Sequence, residues 1–402
     1  MHVLIIEGFR PGHEMLKSLG AEISMIIEAY RISGNEDGFY DRYLTVTDNA
    51  EVDEWIQQAR KINDVSKIDS VINFHENRQL ETAKIAEALG LPYHNAEEAL
   101  ICKDKIYMRS FLISQKVDSI MGGPLSTLQK KLDAHSVNFP LIVKPYNGWG
   151  SSKIFKVENK QHLDEVTRFC LNDDEYPLYC FEEFVTGTEY SVETFSQNGM
   201  HKIVCMTKKY NDSNFVETGH CVPAALSTTE YTAIKGKVIS LLRALGHDNG
   251  PMHTEVIVSP AGDVHIVETH LRMGGDKIPE MIEYACGFNL LKAWCKQILG
   301  ANVFDAVPEV TSANTSSYVA IRYQMAGEQQ IGRKIRGVKY NFSENVKSRI
   351  LEVNSVRAVG DSIVKSANSF TRLGYIIVEG NDYRETEQLA DLIKDEMVYE
   401  LE

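Results

Sequence analysis

Apolar and polar positions alternate in blocks along the first hundred residues, and the blocks predict strands and helices in turn. Buried strands are predicted at 2–7, 23–27 and 70–74, and helices at 14–19 and 80–89. Strands that alternate with helices over short connections favour a parallel, doubly wound sheet. Gly8 and Gly12 do not form a G-x-G-x-x-G pattern, so the dinucleotide fingerprint is absent.

The pattern then changes to strands that follow one another directly, with helices between the groups. Helices are predicted at 104–115, 230–245, 279–286, 289–299 and 385–396. Strands are predicted at 139–145, 153–157, 179–185, 189–195, 253–259, 264–269, 317–325, 349–353 and 373–379. The fold class is therefore α/β, and α+β in parts. After residue 301 we find no chemistry that is separable from the requirements of folding.

Two carboxylates face each other in the hairpin predicted at 253–269. If residues 260–263 form its loop, Glu255 lies directly opposite Glu268. Like charges opposite each other are destabilising, and apolar neighbours add a desolvation cost. A divalent cation would reverse the sign, because Mg²⁺ prefers carboxylate oxygens and commonly bridges to substrate phosphates. The alternative is a solvated surface hairpin.

A lysine that ends an apolar strand, followed by a loop of small residues, is a second candidate for anion binding. Lys144 closes the run 139–145, where a lysine is costly unless it meets an anion. Residues 146–152, Tyr-Asn-Gly-Trp-Gly-Ser-Ser, can present backbone N–H groups and hydroxyls to phosphates. The loop alone is more typical of a hairpin turn, and Lys144 favours the phosphate site.

Polar groups near other strand ends leave two interpretations open. Glu182, Glu183 and Glu189 can be solvated edge residues, or the strand end beside Val185 can hold the edge of an adenine ring. Beyond the hairpin, Arg272 offers a fixed guanidinium.

The composition excludes several classes of protein. The chain has 402 residues, 43% hydrophobic and 24% charged, which suits two or three globular domains. A formal charge of −14 argues against general nucleic-acid binding. No signal peptide is visible, and no apolar run approaches the roughly 18 residues of a membrane span. Seven scattered cysteines without a C-x-x-C pair predict reduced thiols in a cytoplasmic protein.

Together these motifs resemble the ATP-grasp superfamily of carboxylate–amine ligases. The resemblance implies an ATP-grasp fold over 99–300, with lobes at about 105–185 and 186–300. Residues 1–98 would form the Rossmann-like N-terminal domain, and residues 301–402 a cap that completes the unit. No G-x-x-x-x-G-K-[ST] is present, which argues against a P-loop enzyme.

The resemblance also implies roles for single residues. The implied ATP site comprises Lys105, Lys144, Ser151, Ser152, Glu182, Glu183, Val185 and Glu189. Glu255 and Glu268 correspond to the magnesium ligands. Arg272 corresponds to the arginine that steadies an acyl-phosphate, so Arg272 and Lys144 are the implied catalytic residues. The implied cofactors are ATP and two Mg²⁺ ions, with Mn²⁺ as the alternative metal.

One position departs from the superfamily's pattern. The usual Glu-x-Asn is Glu268-Thr-His270 here, and imidazole cannot supply the oxygen that asparagine gives to magnesium. Three interpretations of His270 stay open: it ligates a transition metal, contacts the substrate, or fills the space.

Within the superfamily, the runs at 217–220, 253–255 and 271–275 are similar to those of the L-amino-acid ligases, some of which belong to antibiotic biosynthesis. This similarity implies substrate-binding roles for Glu217, His220, Arg272 and Gly274. The implied reaction activates an amino-acid carboxylate as an acyl-phosphate, which an amine then displaces to give a dipeptide, ADP and phosphate. The implied partners are amino acids and ATP, with no nucleic acid or membrane, and a homodimer.

Two other functions are kept as alternatives. In the first, the acceptor is the thiol of a carrier protein in a natural-product pathway, and the sequence does not distinguish this from an amine. In the second, the protein is a nucleotide-binding regulator with a degenerate site, for which His270 is the supporting residue.

Overall fold

The computed structural model describes residues 1–32, 34, 36–148, 150–173 and 178–402. Trp149, which belongs to the predicted phosphate loop, lies outside the described residues.

The N-terminal elements form a parallel sheet covered by helices. The strands are β1 (His2–Ile6), β2 (Glu22–Glu28), β3 (Arg42–Val46) and β4 (Ser70–Ile72), and the helices are α1 (Arg10–Ser18), α2 (Val52–Val65) and α3 (Gln79–Leu89). The strand order is β3-β2-β1-β4, with all neighbours parallel. The predicted parallel sheet is confirmed. Helix α1 begins earlier than predicted because Pro11 suits the first turn of a helix, and α2 was not predicted.

The next elements form a small antiparallel sheet. They are α4 (Ala96–Lys103), α5 (Lys105–Ser114), β5 (Gly122–Pro124), α6 (Leu128–Asp133), β6 (Leu141–Pro145), β7 (Phe155–Val157), α7 (Lys160–Leu171) and β8 (Tyr179–Glu183). The strand order is β5-β8-β6-β7. The side chain of Asp104 accepts hydrogen bonds from Ile106 N and Tyr107 N and so caps α5. This cap places Lys105 at the first position of the helix.

The remaining elements build a large antiparallel sheet and its helices. The strands are β9 (Thr188–Gln197), β10 (Met200–Asn211), β11 (Glu217–Val222), β12 (Gly250–Val258), β13 (Val264–His270), β14 (Tyr318–Gln324), β15 (Ile335–Tyr340), β16 (Ile350–Ser355), β17 (Gly374–Gly380) and β18 (Met397–Leu401). The helices are α8 (Thr228–Leu245), α9 (Ile278–Cys286), α10 (Leu290–Ile298), α11 (Glu344–Lys347) and α12 (Tyr383–Ile393).

Eight of these strands form one sheet in the order β13-β12-β9-β10-β11-β14-β17-β16, and β15 pairs with β18. The sheet runs without interruption across residue 300, since β11 pairs with β14. Residues 217–220, predicted as part of a polar stretch, belong to β11 and are half-buried or buried. The sequence missed this strand because its polar side chains face other charged groups rather than an apolar core.

The hairpin of β12 and β13 contains the predicted pair of Glu255 and Glu268, but its strands begin in a different register. Val258 pairs with Val264, so the loop is one residue longer than predicted at that end. A β-bulge beside Glu255 then shifts the register by one residue and places Glu255 opposite Glu268. The predicted pairing is therefore confirmed, although the predicted loop was too short.

A buried arginine stabilises the bulge. Val267 is the residue that the pairing omits, and its carbonyl oxygen accepts a hydrogen bond from Arg109 Nη2 at 3.1 Å. Asp118 holds the neighbouring backbone, because its carboxylate accepts from Ile266 N at 2.7 Å. Bulges beside functional sites re-aim side chains, and here the bulge sets the direction of Glu268.

No helix in the described ranges has both the length and the apolar character needed to cross a bilayer.

The turn between β8 and β9 depends on a glycine that packs against β12. A Cβ atom on Gly187 would lie 2.2 Å from the carbonyl oxygen of Val258, so Gly187→Ala forces the strands apart. We expect a loss of about 1–3 kcal/mol in the free energy of unfolding, measured by urea denaturation. Gly236 in α8 is the matched control, because a Cβ there meets nothing within 4 Å. Gly236→Ala should stabilise by about 0.5–1 kcal/mol; equal effects at both sites would refute the packing argument.

Candidate active site

A cleft lies between the small sheet and the large sheet, and it brings together the predicted ATP-site residues, Glu217, Glu255 and Glu268, whereas His220, His270, Arg272 and Gly274 lie outside its lining. Its lining includes Lys105, Lys144, Ser151, Ser152, Glu182, Glu183, Val185, Glu189, Glu217, Glu255 and Glu268. Strands β6 and β8 supply one wall, and β9, β12 and β13 supply the other. Residues that are far apart in sequence therefore share one surface.

Lys209 on β10 is the hub of charge on the large sheet. Its ammonium lies 2.5 Å from Glu255 Oε1, 3.0 Å from Glu189 Oε1 and 3.4 Å from Glu217 Oε1. The lysine side chain is only 3% exposed. Burial alone would lower the pKa of Lys209, but the three carboxylates raise it well above its usual value. A permanent cation thus occupies the floor of the cleft.

The two paired carboxylates of the hairpin are both held ionised. Burial would raise the pKa of Glu255, yet Lys209 and His253 lower it to about 2. Glu268 lies 3.2 Å from Lys105 Nζ and 3.2 Å from His270 Nε2. Burial would raise the pKa of Glu268, but Lys105 and His270 hold it well below its usual range. Two ionised carboxylates on adjacent strands are suitable oxygen donors for magnesium.

Lys144 and Arg109 share the carboxylate of Glu182 on the small sheet. Lys144 Nζ lies 2.8 Å from Glu182 Oε2, and Arg109 Nε lies 3.2 Å from Oε1. Burial would raise the pKa of Glu182, but Arg109 and Lys144 lower it. Glu183 turns away, because its Oε2 accepts a hydrogen bond from Met121 N at 2.9 Å. Glu183 therefore contributes its backbone, rather than a free carboxylate, to the cleft.

The glycine loop is bound on both sides. Lys105 Nζ donates to the carbonyl oxygen of Gly148 at 2.8 Å, and Ser369 N donates to that of Gly150 at 3.1 Å. Gly150 has a φ of 65°, which a residue with a side chain rarely adopts. Ser151 Oγ lies 3.4 Å from Glu217 Oε2 across the cleft. The described part of the loop thus lies over the cleft.

Arg272 lies behind the hairpin, next to the N-terminal part of the chain. Its Nη2 donates to Glu76 Oε2 at 2.6 Å, and its Nη1 to the carbonyl of Met273 at 2.8 Å. Burial would raise the pKa of Glu76, but His270 and Arg272 lower it to about 2. His270 Nδ1 is 3.6 Å from Glu76 Oε2, without a hydrogen bond in the described structure. His270 therefore links Glu76 to Glu268 and brings no oxygen to a metal.

Glu217 and His220 meet residues from the C-terminal part of the chain. Arg372 donates to Glu217 Oε2 at 3.0 Å and makes a two-pronged contact with Asp276, at 2.9 Å to each oxygen. His220 Nε2 is 3.4 Å from Asp276 Oδ2. Burial lowers the pKa of His220, although Asp276 opposes the change. Arg372 also lies 3.7 Å above the ring of Tyr323.

A larger cavity of about 920 Å³ opens beside this group. Its lining includes Gly274, Asp276, Tyr323, Ser369 and Arg372. Arg372, which lines this cavity, pairs with Glu217, which lines the cleft, so the two spaces are neighbours.

Gly274 anchors the segment that follows the hairpin. Its N–H donates to Glu193 Oε2 at 2.9 Å, and Glu193 Oε1 contacts His253 Nδ1 at 2.5 Å. A Cβ on Gly274 would lie 2.8 Å from Glu193 Oε1. His253 Nε2 in turn is 3.3 Å from Glu255 Oε1. The fully buried Glu193 therefore orients a candidate metal ligand through His253.

Sequence reasoning missed several residues of the site. These are Glu76, Arg109, Glu193, Lys209, Asp276 and Arg372. Lys209 ends the apolar run of β10, the same signal that identified Lys144, and could have been found in this way. Arg372 carries no comparable signal, and its role corrects the expectation that the region after 301 holds no site chemistry.

Known proteins share this architecture. Residues 137–280 match the family model of the ATP-grasp domain. The L-amino acid ligase from Bacillus licheniformis is similar over 100% of this chain and 98% of its own, with a TM-score of 0.79 and 20% identity. The alanine–anticapsin ligase of Bacillus amyloliquefaciens is 22% identical over 293 residues, which are 64% of this chain and 62% of that protein.

A much longer protein matches as well. The carbamoyl phosphate synthase large chain of Clavibacter michiganensis subsp. michiganensis is 21% identical over 223 residues, 54% of this chain. The match spans 20% of that protein, about a fifth of its length.

The chain has the ATP-grasp class of fold. Its two antiparallel sheets close on a cleft of lysines and paired glutamates, and a parallel sheet precedes them in the chain. The predicted resemblance to the ATP-grasp superfamily is confirmed for the ATP-grasp domain at residues 137–280, and the whole chain has the fold of the L-amino acid ligase that it resembles.

The His253–Glu193 pair predicts how stability depends on pH. Burial would lower the pKa of His253, but Glu193 and Glu255 raise it to about 9. A raised histidine pKa stabilises the folded protein. The full stabilisation is present below pH 6.5, the pKa of the unfolded state, and it is lost as the pH rises through about 9. At about 1.4 kcal/mol per pKa unit, the metal-free protein should lose about 3 kcal/mol of unfolding free energy between pH 6.5 and 9.5.

The comparison protein is the double variant His253→Gln, Glu193→Gln, which removes both charges of the pair. Urea denaturation across the pH range should show the decline in the wild type only. An equal decline in the double variant would show that other groups titrate.

Proposed function

We propose that the protein is an ATP-dependent ligase that activates an amino-acid carboxylate as an acyl-phosphate, joins it to an amine and releases ADP and phosphate. One observation carries the proposal: ionised Glu255 and Glu268 face each other in a cleft that also holds Lys105 and Lys144. Carboxylates of this kind bind magnesium, and lysines bind phosphates.

The ion pairs of the cleft support exchange with a metal-bound nucleotide. Lys105 contacts Glu268, and Lys144 contacts Glu182, so each cation is balanced by a carboxylate. A magnesium ion on Glu268 would replace the charge of Lys105, and the freed ammonium could then contact phosphate oxygens. The pairs therefore keep buried charges compensated in the empty cleft and leave them available for the nucleotide.

Magnesium, when bound to Glu255 and Glu268, would neutralise phosphate oxygens and polarise the phosphorus for attack. His270 does not fit as a ligand, because it contacts Glu268 and Glu76. We propose that it orients Glu268. Two further proposals concern the metal itself: that two Mg²⁺ ions bind, and that Mn²⁺ can replace them.

The adenosine end would lie between β8 and the large sheet. Phe184, Val185, Ile142 and Ile266 give apolar surfaces for a ring, and the Glu183 segment offers backbone groups. Glu189 is the proposed partner of the ribose hydroxyls, and Asn211 Nδ2 holds one of its oxygens at 2.6 Å. The glycine loop with Ser151 and Ser152 would cover the phosphates and keep water from the acyl-phosphate.

The amino acids would enter from the cavity beside Asp276. We propose that Arg272 releases the carboxylate of Glu76 and binds the reacting carboxylate of the substrate in its place. The exchange is favourable because both groups offer carboxylate oxygens to the guanidinium. Gly274 lines this cavity, and Glu217 and His220 contact its lining residues Arg372 and Asp276; these three are the proposed substrate contacts. The amine would then displace phosphate from the acyl carbon.

The domain bounds at 98 and 300, the cap role of 301–402 and a homodimer remain proposals. The contact of Arg372 with Glu217 supports the view that the last region completes the site rather than a separate unit.

Phosphate release in the presence of ATP, Mg²⁺ and amino acids, alone or in pairs, tests the reaction. Because the acyl-phosphate needs an acceptor, we expect release that depends on two amino acids and yields ADP with a dipeptide. Mass spectrometry identifies both products. Release with one amino acid only after a carrier protein is added would favour thiol loading. AMP with pyrophosphate would overturn the acyl-phosphate scheme.

Substitution of a metal ligand tests the site itself. Glu268→Gln removes the charge that magnesium requires, and we expect turnover to fall by at least about 1000-fold, equivalent to about 4 kcal/mol in the barrier. Circular dichroism should show an unchanged fold. Asp263→Asn is the matched control, because Asp263 is an exposed carboxylate at the tip of the same hairpin. Full activity of Glu268→Gln would contradict the metal assignment.

A further inference from the structure

Three metal-ligating side chains meet outside the cleft. His94 lies one residue before the N-cap of α4, Glu98 lies in the first turn of α4, and His247 follows Gly246 at the end of α8. One nitrogen of each histidine and one carboxylate oxygen of Glu98 all lie within 4.8 Å of one another. Glu98 is 2% exposed and His247 is 1% exposed.

The buried carboxylate needs a positive charge. In the described ranges its ion-pair partners are both histidines: His247 Nδ1 is 2.6 Å from Oε1, and His94 Nδ1 is 3.4 Å from Oε2. The two rings are stacked, 5.2 Å apart at 13°. One positive charge balances the carboxylate, so the approach of a second imidazole nitrogen distinguishes this group from a simple ion pair.

The orientation of His247 favours a metal. Its Nε2 is 3.3 Å from the carbonyl oxygen of Gly250. A proton on Nε2 that is donated to this carbonyl leaves a lone pair on Nδ1, directed at Glu98. In the metal-free protein a proton shared with Glu98 Oε1 at 2.6 Å satisfies that lone pair, and a metal ion that takes both atoms as ligands would displace this proton. A histidine whose second nitrogen donates to a backbone carbonyl is also the usual arrangement of a metal ligand.

We propose that His94, Glu98 and His247 bind one divalent transition-metal ion, with Zn²⁺ as the best fit. Two imidazole nitrogens and one carboxylate oxygen are a ligand set that zinc accepts, whereas magnesium prefers oxygen donors only. This site is separate from Glu255 and Glu268 and does not depend on the proposed ligase activity.

The position of the site indicates what the metal does. Helix α4 connects the N-terminal sheet to the rest of the chain, and His247 leads directly into β12. A metal would tie the two segments together at the end of the strand that carries Glu255. The ion is therefore structural: it fixes the start of β12 relative to α4.

Metal binding by the full chain tests the proposal. Glu268→Gln serves as the background, so that the carboxylates of the cleft do not contribute a competing zinc site. After removal of metal with a chelator, we expect one equivalent of Zn²⁺ to bind in competition with a chromophoric indicator. Co²⁺ should give a visible absorption band that Zn²⁺ abolishes, and Zn²⁺ should raise the Tm.

In the Glu268→Gln protein, Glu98→Gln and His247→Gln should each weaken Zn²⁺ binding by more than about 100-fold. Loss of a residue that only orients a metal ligand costs about 10–100-fold, and loss of a ligand itself should cost more. His13→Gln is the matched control, because His13 is buried and contacts Phe9 N and Tyr40 OH instead of a carboxylate. If the buried variants fail to fold, the half-buried His94→Gln provides the same test.

The proposal is wrong if the background protein binds no more Zn²⁺ than its Glu98→Gln derivative. It is also wrong if His13→Gln weakens binding as much as His247→Gln does. In either case the three residues form a proton-sharing ion pair only.

Discussion

The large sheet depends on one buried ammonium group. Lys209 contacts carboxylates from three other strands, and without it Glu189, Glu217 and Glu255 would repel one another in a region shielded from water. A lysine is fixed in position by its backbone, in contrast to an ion that exchanges with solvent. The protein therefore keeps a permanent charge under the cleft and leaves the opposite side of Glu255, facing Glu268, for the proposed magnesium ion.

The residues around the two hairpin carboxylates follow a common arrangement, in which a second carboxylate lies next to a histidine and the histidine contacts the hairpin carboxylate. Glu193 hydrogen-bonds His253, which contacts Glu255, and Glu76 lies 3.6 Å from His270, which contacts Glu268. Each hairpin carboxylate thus has a histidine behind it. The histidines orient the carboxylates while leaving oxygens directed into the cleft, which is the function of an outer shell around a metal site. His270, which departs from the family's metal-ligand pattern, thus contacts a hairpin carboxylate in the same way as His253 does.

The sequence predicted those parts of the fold and the site that leave a pattern among neighbouring residues in the chain. Alternation along 253–269 was sufficient to pair Glu255 with Glu268, since a strand repeats every second residue and the two errors in register cancelled. The apolar run before Lys144 identified a buried cation for a similar reason. Arg372 is 96 residues from its partner Asp276 in the sequence, and its contacts arise only when β17 closes the sheet beside β14. Ion pairs of this kind have no periodicity, so the sequence alone could not reveal them.

The participation of Arg372 changes how the last hundred residues are understood. A cap that only covered a finished site could be built from any polar surface. Here Arg372 binds Glu217 and Asp276, and Ser369 binds both Glu217 and the glycine loop. Glu217 is also a partner of Lys209. The glycine loop is consequently linked, through Ser369 and Glu217, to Lys209 beneath the hairpin. If the loop opens to admit the proposed nucleotide, the contact between Gly150 and Ser369 would break, so access to the cleft would depend on the carboxylate network that includes the proposed metal ligand Glu255.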